Sequence, residues 1–171
     1  SCEPPLILGG LKLNRSVLKF GGSSVSDFTK IKNIAEMLKR RVDDGEQLIV
    51  VVSAMGKTTD QLMENVSHLT TTPKDEELAL LLTTGEQQTV SYLSMVLNDI
   101  GVSARAMTGY QAGIKTVGHH LKSRIAEINP ETFNKEFKDK DVLVVAGFQG
   151  VNDELELTTL GRGGSDTTAV A

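Results

Sequence analysis

Lys19 lies near the end of a short apolar run, "SVLKF", and after Phe20 come Gly21, Gly22, Ser23 and Ser24. A lysine supplies a compact positive charge, and two glycines let backbone N–H groups approach a ligand with no Cβ in the way. The serine hydroxyls add donors, and the set suits an oxyanion such as a phosphate. Near the other end, Arg162 stands before Gly163, Gly164, Ser165 and Asp166. An arginine fork grips a planar carboxylate with two parallel hydrogen bonds. A glycine turn leading into a helix gathers unpaired N–H groups that favour anions. Two anion sites imply two anionic ligands, one nucleotide and one acid. Each stretch also has an ordinary reading: "GGSS" is a common turn, "GRGGSD" a solvated loop, and Glu86 in "TTGE" an exposed residue at a helix break. Their joint occurrence favours the functional reading.

Familiar phosphate motifs do not fit. "GKTT" at 56–59 resembles the end of a P-loop, but the glycine required five residues before Gly56 is Val51, inside an apolar run. "GGSSVS" matches neither a dinucleotide fingerprint nor a protein-kinase glycine loop.

A scaffold must bring these residues to one edge. The run 16–20 reads as a strand. Ser26 can cap a helix from Asp27, in which Phe28, Ile31, Ile34, Ala35, Leu38 and Val42 recur at helical spacing before Gly45 stops it. "QLIVVVS" (47–53) is a continuous β-branched run, the mark of a strand buried on both faces, and completes a βαβ unit. A helical stretch follows near 60–69. A longer pattern begins at Asp75 and reaches Ile100, and Gly85 predicts a bend or helix junction at 83–86. "VSARAM" (102–107) reads as a strand, "TGYQAGIKT" as a glycine-containing loop with room for a short strand, and 122–128 as a candidate strand. Asn129-Pro130 opens a short helix to about Lys138, and "DVLVVAGFQG" (141–150) is a second buried strand. "LELTTLGRGGSDTTAVA" reads as a polar glycine loop and the first turn of a helix. Residues 1–14, broken by Pro4, Pro5, Gly9 and Gly10, are expected to be a tag remnant or an extension outside the fold. Alternating strands and helices predict an α/β fold with a largely parallel sheet, whose ligands sit at the carboxyl ends of strands.

Composition narrows the partners. The 171 residues fit one domain, and 39% hydrophobic content is enough for a core. A net charge of −4 argues against a general nucleic-acid binder. Cys2 is the single cysteine, so no intrachain disulfide forms and a reducing cytoplasmic setting fits. His119 and His120 lack a third metal ligand at useful spacing and read as turn residues. No apolar run is long enough to span a bilayer.

Four blocks, "KFGGSSV", "VVSAMGKTTD", "LLTTGEQ" and "TTLGRGGSDTTAVA", resemble the amino-terminal catalytic domain of the aspartate kinase family, in order and over residues 16–171. The resemblance implies a three-layer α/β/α fold of the amino-acid-kinase kind. It also implies phosphorylation of the side-chain carboxylate of L-aspartate by ATP, giving 4-phospho-L-aspartate at the entry to lysine, threonine and methionine synthesis. Mg²⁺ would be held mainly through the nucleotide phosphates, with no protein metal site. By this likeness Lys19 touches the transferring phosphoryl group, and Phe20, Gly21, Gly22 and Ser23 line the phosphates. Ser53 and Thr59 lie near aspartate, and Glu86 holds its α-ammonium. Arg162 grips a substrate carboxylate with Gly163, Gly164 and Ser165 around it, while Asp166 organises Lys19 and the reacting groups. The family continues into strands that hold adenine and ribose, and into regulatory domains of the ACT type. Residues 15–171 are therefore expected to be the amino-terminal portion of the kinase domain, inactive alone and part of a homo-oligomer when complete. Two other readings stay open: a kinase acting on glutamate, acetylglutamate or UMP, and a non-catalytic amino-acid-binding module.

Overall fold

The computed structural model describes residues 7–8, 11–12, 14–161 and 168–170. Two short antiparallel strands, β1 (Ile7–Leu8) and β2 (Leu11–Lys12), precede the main fold. The central sheet is wholly parallel. Its order is β3 (Asn14–Phe20), β4 (Glu46–Val52), β8 (Val142–Ala146) and β5 (Ala104–Met107). β4 and β8 are the inner strands, which explains their unbroken apolar sequences: both faces are covered.

On one face Leu48, Val50 and Val52 of β4 and Val142, Val144 and Ala146 of β8 meet two helices. These are α1 (Phe28–Asp43), through Ile31, Ile34, Ala35 and Leu38, and α3 (Asp75–Asp99), through Val90, Leu93 and Leu97. The other face carries Leu143 and Val145, which pack with Phe137 and with Phe133 of α4 (Pro130–Glu136). Ile114, Ile125 and Ile128 complete this second core from a separate sheet. That sheet has the order β10 (Leu157–Thr159), β9 (Gln149–Val151), β6 (Ile114–Val117), β7 (Arg124–Ile128). It is antiparallel except where β6 meets β9. The expected α/β architecture is present, and the candidate strand at 122–128 appears as β7 of this smaller sheet.

Several local expectations change. α1 is capped by Asp27, not Ser26: the Asp27 carboxylate accepts from Lys30 N at 2.8 Å, while Ser26 Oγ accepts from Lys30 Nζ at 2.9 Å. α2 (Thr58–Ser67) begins two residues earlier than read. α3 runs unbroken through 83–86, with no helix junction at Gly85. A Cβ on Gly85 would stand 3.0 Å from the Cβ of Ala54, so this glycine serves close packing against the segment after β4. A mid-helix glycine costs ~1 kcal/mol relative to alanine, and here it lets α3 approach Ala54 and Thr58 closely. The predicted strand 141–150 divides into β8 and β9 at Phe148, whose φ of 68° is left-handed. The segment 157–159, read as loop, is strand β10.

Candidate active site

The carboxyl ends of β3, β4 and β8 lie side by side, and backbone hydrogen bonds lace together the segments that leave them. Ser53 N donates to Phe20 O at 3.1 Å, Gly147 N to Val52 O at 3.0 Å, and Gly56 N to Gly22 O at 3.0 Å. Lys19 and Phe20 end β3 on this rim. The Lys19 ammonium lies near Gly21, where a Cβ would come within 3.8 Å of Nζ. Gly22 has little room for a side chain, since a Cβ would meet Ala54 O at 3.1 Å and Gly56 O at 3.6 Å. The turn closes through Ser24 N to Gly21 O at 3.0 Å. Lys30, not singled out in the sequence, braces it from α1 by donating to Ser23 O at 3.0 Å and to Ser26 Oγ. Ser23 itself is exposed. The loop is thus a glycine turn, fixed from below and open above, beside a lysine.

Ser53 follows β4 on the same rim, and Thr59 stands in the first turn of α2. Gly56, at φ 46°, makes the turn between them. Glu86 arrives from α3, next to the glycine that packs on Ala54. It is buried, with 3% of its surface exposed, so the reading of Glu86 as an exposed helix-break residue does not hold. Burial pushes its carboxyl up to about 7, against the partly compensating hydrogen bond from Gln149. Once ionised, a carboxylate buried in this way calls for a cationic partner.

The strand-end rule reaches the segment "GFQG", but the sequence reading gave Gln149 itself no role. Its Nε2 donates to Glu86 Oε2 at 3.3 Å and to Thr83 O at 2.9 Å, and its Oε1 accepts from Gly109 N at 3.1 Å. The available signal was a polar side chain in an otherwise apolar strand run, "VLVVAGFQG". The structure brings Lys19, Phe20, Gly21, Gly22 and Ser53 onto one rim, with Glu86 at its edge. Leu160 N donates to Phe148 O at 2.9 Å, which brings the chain before Gly161 to the same rim. Arg162, Gly163, Gly164, Ser165 and Asp166 lie outside the described residues.

Other features lie elsewhere. A groove of about 250 Å³ on the second face of the sheet is lined by apolar groups, among them Val17, Ile49, Val51 and Val145, and offers a phosphate little. His119 pairs with Asp75 at 2.8 Å and His120 with Glu156 at 3.1 Å, so both rings clasp neighbouring elements. Among the described residues no group of three His, Cys, Asp or Glu is placed to hold a metal, and no helix is long and apolar enough to cross a membrane.

Comparison with known proteins decides the family. The model of the amino acid kinase family matches residues 14–171. The chain belongs to that family. An aspartokinase of Bacillus sp. strain MGA3 is 48% identical over 155 residues, which covers 91% of this chain and 38% of that protein. Aspartokinase 2 of Bacillus subtilis strain 168 is 46% identical over the same shares. The crystal structure of aspartate kinase from Synechocystis superposes with a TM-score of 0.74 at 44% identity, covering 91% of this chain and 25% of that one. The chain thus spans 38% of the length of these two Bacillus relatives. The amino acid kinase fold accounts for the parallel sheet, and its strand-end rim is the place where such a sheet binds ligands.

Proposed function

We propose that the protein transfers the γ-phosphoryl group of ATP to the side-chain carboxylate of L-aspartate. The observation that carries this reading is a buried carboxylate, Glu86, at the edge of a rim that also holds a lysine and a glycine turn. A nucleotide alone needs cations and N–H donors. An anionic side chain beside them calls for a second ligand that brings its own cation, as the α-ammonium of an amino acid does. The likeness to proteins named aspartokinase selects aspartate among such ligands.

In this reading Gly21, Gly22, Phe20 and Ser23 line the phosphates, and Lys19 neutralises charge on the transferring group. Ser53 and Thr59 adjoin the amino acid and Glu86 holds its ammonium. Arg162, with Gly163, Gly164 and Ser165, grips a carboxylate, and Asp166 orders Lys19. An aspartate carboxylate oxygen forms a bond to the γ-phosphorus as the bond to the bridging oxygen of ADP breaks, and no proton need move. Two anions must approach each other, so catalysis is chiefly positioning and cationic stabilisation. Mg²⁺, which would be held mainly through the nucleotide phosphates, would supply further positive charge. The enzyme is expected in the cytoplasm, as a homo-oligomer.

The test is a substrate panel in the intact protein: ATP with L-aspartate, L-glutamate, N-acetyl-L-glutamate or UMP, the acyl phosphates being trapped by hydroxylamine and UDP being read by chromatography. Aspartate should be the preferred acceptor. Preference for any of the others, or no transfer to any, would overturn the reading.

A further inference from the structure

We propose that Gln149 is a positioning residue for amino-acid capture: its side-chain amide fixes the orientation of the Glu86 carboxylate at the strand-end rim. This rests on the reading of Glu86 as the ammonium partner.

The geometry leaves the amide no freedom. Gln149 is completely buried, so each of its polar atoms must find a partner within the protein. Oε1 accepts from the Gly109 backbone, and Nε2 uses its two hydrogens on Thr83 O and Glu86 Oε2. Flipping the amide would set an NH₂ group against the Gly109 N–H, donor against donor, so the network itself assigns the NH₂ to Glu86. One side chain thereby ties strand β9, the loop after β5 and the middle of α3 together at the point where Glu86 emerges.

The surrounding backbone is shaped for this contact. Phe148, at φ 68°, adopts a conformation unfavourable for a residue with a side chain immediately before Gln149. Gly109 approaches so closely that a Cβ there would lie 2.5 Å from Gln149 O. A strained residue and an obligatory glycine on either side of one hydrogen-bonded amide are more than a buried filler would require. The influences on Glu86 are its burial, its own backbone and the Gln149 amide. Along α3 it lies about one turn from the uncharged Thr83 and Thr89, and from β9 it meets Gln149. Donation from Nε2 favours the ionised carboxylate, the form that holds an ammonium, and opposes the effect of burial.

Two measurements test this. In the wild-type protein the side-chain amide protons of Gln149 are followed by NMR against pH. They should titrate together with Glu86 and become flat when Glu86→Gln is introduced; amide shifts that ignore pH would overturn the proposal whatever the substrate is. In the intact enzyme Gln149→Leu, close in volume and without polar atoms, should raise the aspartate KM about tenfold, as loss of a hydrogen bond to a charged group does, and leave the ATP KM within about twofold. The acid limb of kcat/KM for aspartate should move to higher pH, because the carboxylate has lost a donor. Equal rises in both KM values with an unmoved pH profile would reduce Gln149 to a structural clip and overturn the proposal. A wild-type protein that ignores aspartate would sink the kinase reading, while the amide titration would still decide whether Gln149 governs Glu86.

Discussion

Replacing Glu86 by glutamine removes a charge and keeps the side chain's length and its ability to accept from Gln149. The folded chain lifts the Glu86 carboxyl from 4.5 to about 7 through burial, and unfolding returns it to water. Well below pH 4.5 both states are protonated and the group does not discriminate between them. As pH rises the unfolded chain ionises first, so folded stability falls until pH passes about 7 and is level thereafter. At ~1.4 kcal/mol per pH unit, the interval from 4.5 to about 7 corresponds to ~3 kcal/mol of stability that the wild type lacks at alkaline pH. Glutamine carries no such penalty. Equilibrium urea unfolding should therefore find Glu86→Gln more stable than wild type by ~3 kcal/mol at about pH 8.5, and equal to it near pH 4. A variant less stable than wild type at the higher pH, or a difference independent of pH, would refute the reasoning. A site residue that weakens the fold is the expected pattern where binding needs a poorly solvated charge.

Lys19→Met in the intact enzyme should lower kcat on the order of 10²-fold with little change in aspartate affinity, as removal of one preorganised donor does; near-normal turnover in a folded variant would dismiss Lys19 from the phosphoryl site. Arg41, donating to Glu46 at 2.6 and 2.8 Å, and Ser16 hold the Glu46 carboxyl down at about 2. That pair stabilises the fold above pH 4.5 and loses its contribution as pH falls toward 2. Glu46→Gln should cost ~1 kcal/mol at neutral pH, the pair being partly exposed, and nothing at the acid extreme, measured by urea unfolding. Gly109→Ala should cost ~1–3 kcal/mol by the same measurement, because its Cβ has no room beside the Gln149 carbonyl; an unchanged midpoint would contradict the packing described.

The sequence made the central sheet and its helices legible because their signals are local. α1 shows its apolar face at helical spacing, and β4 and β8 show the continuous β-branched runs of inner strands. The strand-end rule then pointed to Lys19, Gly21, Gly22 and Ser53. What was not legible depended on contacts between distant residues. Gly85 looks like a break, and only the nearness of Ala54 reveals a packing glycine. The division of 141–150 depends on a left-handed Phe148, a residue that carries no turn signal. β7 falls within the candidate strand 122–128 and β6 overlaps the loop that left room for a short strand, but β9 and β10, three residues each, are too short for alternation to declare itself. The strand-end segment "GFQG" was legible, but the role of Gln149 was not, because it depends on Thr83, Glu86 and Gly109, which are remote in sequence.

The kinase reading is tested most directly by the pair of Michaelis constants of Glu86→Gln in the intact enzyme, measured above the pH at which wild-type Glu86 ionises. A buried carboxylate that faces an ammonium contributes to one substrate alone, since ATP has no such group. The aspartate KM should rise by at least about tenfold, the loss expected for a charged hydrogen bond, with the ATP KM unchanged. Aspartate and ATP constants that both stay at wild-type values in a folded protein would contradict the assignment of Glu86 to the ammonium.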